Sequence, residues 1–355
     1  MITDVLNGKR QYFFEIGDNI NILKTLPCDS IDCIITSPPY WKQRVYEDYS
    51  GELNGIIGSE NTPEEYVENL MCVIREIYRI LKPTGTFWLN IGDKFLNKCL
   101  MGMPWRVALQ MEKEGWILRS DVIWDQMKGT QSCKDRFRDI YEHVFQFVKS
   151  NKYYFNDDAI RIIPDKNAYE KNGEITSATG VTGKKYFFQI QNSTVLSENE
   201  RSNALIALKK TLEEMRNGII VDFRMTVRGE QRAYHSESKK ISGRAKELQD
   251  KGFYIVKMKK KGFLPSNIWR MVPEDTWRKD THCAVFPEEL LRIPILSTCP
   301  IDGIVLDPFS GTGSTVDAAI RLGRRGIGID VSRQYTEIAK KRLMVSTKNI
   351  QLSIM

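Results

Sequence analysis

The chain has 355 residues, with 52 Lys and Arg against 45 Asp and Glu, a net charge of +7. Apolar residues make up 41 % and aromatics 10 %, enough to bury a core in one large domain or two. That balance excludes a mostly disordered chain, and no apolar run approaches the roughly 20 residues of a membrane span.

Residues 12–16 (YFFEI) read as a short strand. Gly17-Asp18 then opens a helix with Ile20, Ile22, Leu23 and Leu26 as its apolar positions. Residues 31–36 (IDCIIT) are apolar and β-branched, which predicts a buried strand ending at Ser37-Pro38-Pro39-Tyr40-Trp41. The loop that follows, about 42–60, is long enough to act as a lid or to be a plain connection. Thr62-Pro63-Glu64-Glu65 is a capping box with Pro at the first helical position, and its helix runs to about Leu81. A strand over 86–91, a helix near 104–114 and strands near 117–124 and 142–149 follow. This alternation predicts an α/β fold: a doubly wound, mostly parallel sheet with helices on both faces.

The pattern breaks down from about 151, where one helix-like stretch (204–216) stands among polar runs. Alternation resumes near 266, with a strand at 304–306, a helix at 314–322, a strand at 326–330 and a helix at 333–344. Neither flank alone completes such a sheet, so the expected layout is 1–155 and 263–355 as two parts of one domain and 156–262 as an insert. That insert holds 21 Lys and Arg against 14 Asp and Glu, while the rest of the chain carries 31 of each. The whole excess of positive charge therefore sits in the insert. Charge alone leaves a phosphate-bearing partner and a merely solvated surface equally open. The seven Cys are odd in number and form no C-x-x-C pair, so neither a zinc cluster nor a disulfide framework is expected, and reduced thiols in the cytoplasm are the default.

Two motifs carry chemistry. Asp307-Pro308-Phe309-Ser310-Gly311-Thr312-Gly313-Ser314 joins a strand to a helix, where a sheet of this kind binds nucleotide-like cofactors. A phosphate-binding loop would need Lys after the last Gly, and the dinucleotide fingerprint would need Gly where Val316 stands. Asp330 ends the next strand, 19 residues beyond Gly311, placed to accept hydrogen bonds from ribose hydroxyls. A nucleoside without phosphates suits both features, and S-adenosylmethionine is the commonest such cofactor; a plain tight turn is the rival reading. In Thr36-Ser37-Pro38-Pro39-Tyr40-Trp41, Pro-Pro removes two donors and leaves a rigid ledge of carbonyls beside a ring. Such a ledge suits a planar group bearing an amine, or is simply a strand-ending turn with a core Tyr.

Ser37-Pro38-Pro39-Tyr40 early and Asp307-Pro308-Phe309-x-Gly311-x-Gly313 late resemble the amino-group DNA methyltransferases. The order, with the catalytic motif first and the cofactor motif last, looks like their circularly permuted β class. Smaller signatures extend the likeness: Leu89-Asn90-Ile91-Gly92-Asp93, Asp135-Arg136-Phe137, Tyr141-Glu142, Ser266-Asn267-Ile268-Trp269 and His282-x-x-x-Phe286-Pro287. The resemblance implies the fold of the S-adenosyl-L-methionine-dependent methyltransferases and a base flipped out of double-stranded DNA. Ser37 and the Pro38 carbonyl would accept from the target amine, Pro39 would stiffen the ledge, and Tyr40 would stack on the base. Phe309, Gly311 and Gly313 would line the cofactor and Asp330 its ribose, with Asp307 and Thr315 as further lining. Asp18 resembles the acidic residue near the adenine, or is the N-cap of its helix; His282 and Phe286 resemble the motif around the methionine end, or are structural. Asp93 could assist proton removal.

Ser rather than Asp before Pro-Pro favours N4 of cytosine over N6 of adenine within this family. The insert is then the target-recognition region. Lys257, Lys259, Lys260 and Lys261, the pair Lys184 and Lys185, and Arg224, Arg228 and Arg232 would be its phosphate or base contacts in some mixture, with a solvated surface charge as the rival reading for any single one. A separately acting restriction endonuclease, a monomeric or homodimeric state and an inactive DNA-binding relative stay open on the sequence.

Overall fold

A computed structural model describes residues 1–43, 57–127, 133–163, 167–171, 173–229, 243–273 and 287–354. The described chain divides into two compact units, Met1–Ile160 with Ser266–Met355, and Arg161–Pro265. Among the described residues no helix is long and apolar enough to cross a membrane.

The first unit is built on an eight-stranded sheet. In chain order its strands are β1 (Tyr12–Ile16), β2 (Ile31–Thr36), β3 (Leu81–Ile91), β4 (Ile117–Asp125), β5 (Tyr141–Val148), β6 (Ile268–Arg270), β7 (Ile304–Asp307) and β8 (Arg325–Asp330). They lie in the order β1-β8-β7-β2-β3-β5-β4-β6. Only β5 runs against its neighbours β3 and β4; every other pairing is parallel. This is the α/β, doubly wound and mostly parallel sheet that the alternation predicts.

The period of two along each strand sorts the core into two layers. Ile34, Phe87, Leu89, Leu306 and Ile327 pack with the helices Asn19–Thr25, Pro63–Ile80 and Met103–Lys113. Cys33, Ile35, Trp88, Val144 and Val305 face the other way, onto the helices Glu288–Thr298 and Ser314–Arg321. From β2 the chain crosses by Pro63–Ile80 towards β3; from β7 it crosses by Ser314–Arg321 towards β8. Those crossovers leave in opposite directions from adjacent strands. The crevice between β2 and β7 is therefore the sheet's topological switch point, where ligands of such sheets bind beyond the carboxyl ends.

The second unit has its own core. The helices Lys184–Gln191 and Glu198–Arg216 pack Tyr186, Ile190, Leu208 and Met215 onto Phe223, Met225 and Val227. Those three residues belong to an antiparallel ribbon of Ile220–Val227 with Phe253–Lys259.

Candidate functional site

β7 carries Ile304, Val305 and Leu306 into the core and ends on Asp307. The loop that follows has to double back within six residues to start the helix Ser314–Arg321. Gly313 makes this turn at φ +79°, and an added Cβ there would lie 2.7 Å from Ala339 Cβ and 2.9 Å from Phe14 Cζ. Only Gly combines that conformation with that closeness. The Gly311 N–H donates to Asp330 Oδ2 at 2.8 Å, and Asp330 Oδ1 accepts from the Ser332 N–H at 2.8 Å. Burial pushes the Asp330 carboxyl above its usual range, against the pull of those two N–H groups. Each oxygen keeps a second lone pair for a further donor.

Asp307 is almost fully buried. Thr36 Oγ1 donates to its Oδ1 at 2.6 Å and Thr315 Oγ1 to its Oδ2 at 2.6 Å, while the Phe309 N–H reaches Oδ1 at 3.0 Å. Desolvation lifts its pKa to about 6, although all three donors pull it down. Asp307 thus pins the end of β2 to the end of β7 across the switch point. Thr315 is likewise buried and spends its hydroxyl on Asp307.

The residue after Thr36 is Ser37, one step beyond β2. Its Oγ donates to the Tyr40 hydroxyl at 3.0 Å, and that hydroxyl donates to Glu142 Oε2 at 2.6 Å. Asn90 Nδ2 also donates to Glu142 Oε2, at 2.9 Å, and Gln126 Nε2 to Glu142 Oε1 at 3.0 Å. Burial, and then the neighbouring Glu142, hold the Tyr40 phenol well above its ordinary pKa. At Gly92 an added Cβ would stand 2.8 Å from Tyr40 Cε2, so the ring packs where any side chain would displace it. The Pro39 carbonyl accepts from the Tyr66 hydroxyl at 3.0 Å; that of Pro38 takes no hydrogen bond from the described residues. Trp41 is a core residue whose indole N–H donates to the Glu60 carbonyl at 2.9 Å.

Strand ends thus gather Ser37, Pro38, Pro39, Tyr40, Asp307, Phe309, Gly311, Gly313, Thr315 and Asp330 on one rim of the sheet. Asp18 caps the helix Asn19–Thr25 by accepting from the Asn21 N–H at 2.8 Å. Asp93 accepts from the Lys94 and Met103 N–H groups at 2.8 and 3.0 Å, holding the turn after β3. His282, Phe286, Arg232 and most of the loop after Gln43 lie outside the described residues. The contact that the sequence did not disclose is Glu142 on Tyr40. Its only trace is the Tyr141-Glu142 signature.

The glycine loop with Asp330 stands on one side of the switch point and the Ser-Pro-Pro-Tyr ledge on the other, at the crevice where α/β sheets of this kind bind nucleoside-type ligands. The family of DNA methylases acting on N6 or N4 amino groups matches residues 31–341, and the chain belongs to it. Type II methyltransferase M.SfiI of Streptomyces fimbriatus is 30 % identical, over 90 % of this chain and 88 % of its own. Type II methyltransferase M.Cfr9I of Citrobacter freundii is 25 % identical, over 97 % of this chain and 91 % of its own. Among solved structures, the cytosine-N4-specific PvuII DNA methyltransferase shares the fold with a TM-score of 0.57 at 17 % identity, covering 94 % of this chain and 86 % of that one.

Proposed function

We propose that this DNA methyltransferase moves a methyl group from S-adenosylmethionine to N4 of a cytosine flipped out of duplex DNA, in a type II restriction-modification setting in the cytoplasm. The observation that carries the reading is Ser37, an oxygen acceptor at the end of β2, tied through Thr36 and Asp307 to the glycine loop.

The residues present fit the cofactor. Ser310 Oγ and Thr312 Oγ1 are buried polar atoms with no hydrogen-bond partner, and an added Cβ at Gly311 would meet nothing within 4 Å. Asp330 would accept from the ribose hydroxyls, and Phe309 and the Gly311–Gly313 turn would line the nucleoside. When bound, the cofactor supplies an electrophilic methyl on a sulfonium. The chain's own residues do the rest. Ser37 Oγ and the Pro38 carbonyl accept the two N–H bonds of the exocyclic amine. That draws the nitrogen lone pair out of ring conjugation and aims it at the methyl carbon. Tyr40 packs against the base, and the ledge holds the amine in line, so positioning supplies much of the rate. Asp307 and Thr315 act on the loop's shape rather than on the ligand.

The test is direct. DNA methylated by the purified protein is digested to nucleosides and analysed by mass spectrometry. N4-methylcytosine is expected; N6-methyladenine without it overturns the assignment of the base. Ser37→Ala and Tyr40→Ala should each lower the single-turnover rate on the order of 10²-fold. Variants as fast as the parent would move the site elsewhere.

A further inference from the structure

We propose that Glu142 is the terminal proton acceptor of the methyl transfer, reached from the target amine through Ser37 and Tyr40. The proposal rests on the reading of Ser37 as the residue that accepts from the amine. It adds a residue that touches neither base nor cofactor.

The argument starts from the direction of the hydrogen bonds. A carboxylate has no proton to give, so Glu142 can only accept. Tyr40 has one proton, and its shortest contact is Glu142 Oε2 at 2.6 Å. Asn90 Oδ1 lies 3.2 Å from the same hydroxyl, a longer and uncharged alternative. The Asn90 amide is itself fixed, because Nδ2 donates to Glu142 Oε2 and to the His143 carbonyl. With its proton given to Glu142, the Tyr40 oxygen has to accept, and its donor is Ser37 Oγ at 3.0 Å. Ser37 then faces the substrate with lone pairs only. A hydroxyl free to rotate could instead donate to the amine nitrogen and occupy the lone pair that has to attack. Glu142 therefore fixes the sense of the whole chain.

The same chain carries a proton out. As the nitrogen lone pair forms the N–C bond, the S–C bond breaks and its electron pair stays on sulfur. The nitrogen is left with one proton too many and a positive charge. That proton passes to Ser37 Oγ, the Ser37 proton to the Tyr40 oxygen, and the Tyr40 proton to Glu142 Oε2. The products are a neutral methylated amine and a neutral carboxylic acid, which then loses its proton to water. Tyr40 is suited to the middle position, because its surroundings keep the phenol protonated between turnovers. Ser37 is only partly buried, Glu142 likewise, and Gly92 clears the space in which the ring connects them.

Two variants test the relay. Tyr40→Phe keeps the ring and removes the middle oxygen. Glu142→Gln keeps an oxygen that can accept from Tyr40 but cannot take up a proton. Each should lower the single-turnover rate about 10- to 100-fold. DNA affinity, cofactor affinity by calorimetry and base flipping, read as fluorescence of 2-aminopurine at the target position, should stay within about twofold. A solvent deuterium isotope effect that varies with the square or cube of the deuterium fraction is expected for the parent chain and should be lost in Tyr40→Phe. A Glu142→Gln variant as fast as the parent overturns the proposal, and so does a loss of rate explained wholly by weaker binding or flipping. If the parent methylates adenine, the base assignment falls and the relay is still judged by the same rates.

Discussion

Asp307 lies 2 % exposed at the end of β7, and its three donors, two hydroxyls and a backbone N–H, carry no charge. Nothing there repays the lost hydration of a carboxylate in full, so burial moves its pKa from 3.8 to about 6. Between those values the folded chain holds a proton that the unfolded chain has released. The contribution to stability is thus fully present below about pH 4 and is lost as pH rises through 6, by about 3 kcal/mol in all. Urea unfolding of the parent chain and of Asp307→Asn across pH 4.5–7.5 checks this: the parent should gain on the variant as pH falls. Parallel curves would show that the carboxyl is not strained. Strain of this kind fits a residue that shapes a binding loop, and motif and strand position made Asp307, Ser37 and Asp330 legible in the sequence. Glu142 was not, since it meets Tyr40 across 102 residues of chain and only the antiparallel run of β5 returns it to the rim.

Elements differ in how clearly they announce themselves. The helix Pro63–Ile80 has both halves of its capping box, with Thr62 Oγ1 accepting from the Glu65 N–H at 3.2 Å and Glu65 Oε2 from the Thr62 N–H at 3.3 Å. Thr62→Ala should lower stability by about 1 kcal/mol, measured by urea unfolding, and leave methylation intact. Gly313 caps the helix Ser314–Arg321 without a side chain, in a conformation and a space that exclude one. Gly313→Ala should cost about 2–4 kcal/mol, because left-handed strain adds to a clash that packed neighbours cannot relieve. Cofactor affinity should fall with it, since the same turn presents the loop. The helix Glu288–Thr298 is the opposite case. Pro294 stands inside it, and Ser297 and Thr298 hydrogen-bond back to the carbonyls of Ile293 and Pro294. Pro, Ser and Thr disfavour a helix interior, yet Leu290, Leu291 and Ile295 bury fully against the sheet, and tertiary packing overrides local preference. The second unit hid more. Lys184–Gln191, Gly243–Lys251 and the ribbon Ile220–Val227 with Phe253–Lys259 emerge from a segment whose polar runs masked their periodicity.

For the whole molecule, the charge is the question, because all of the +7 resides in 156–262. Several of the basic residues there are already neutralised inside the unit. Lys184 pairs with Glu174 at 2.6 Å, Arg224 with Asp222 at 2.9 Å, Arg228 with Glu200 at 2.7 Å and Lys257 with Glu214 at 2.6 Å. Arg228 also donates to the Gln249 and Val195 carbonyls, which ties the helix Gly243–Lys251 and the start of Glu198–Arg216 to the ribbon. Its removal should loosen the unit by on the order of 2 kcal/mol, because those acceptors are left without their donor. Lys259 and Lys260, at the end of the strand Phe253–Lys259 and one residue past it, are exposed and form no ion pair among the described residues. If the unit meets DNA phosphates there, replacing Lys259, Lys260 and Lys261 with Ala reduces the number of counterions released on binding. The slope of log affinity against log salt should then fall by about 0.9 for each phosphate no longer neutralised, and by no more than about 3 in all. Arg228→Ala should lower thermal stability and leave that slope where it was, because its charge is spent on Glu200. Fluorescence anisotropy of labelled duplex DNA between low and moderate salt separates the two variants. A triple variant with the parent's slope would place the phosphates on other basic residues, and an Arg228→Ala variant with a smaller slope would mean that the Glu200 pair opens when DNA binds.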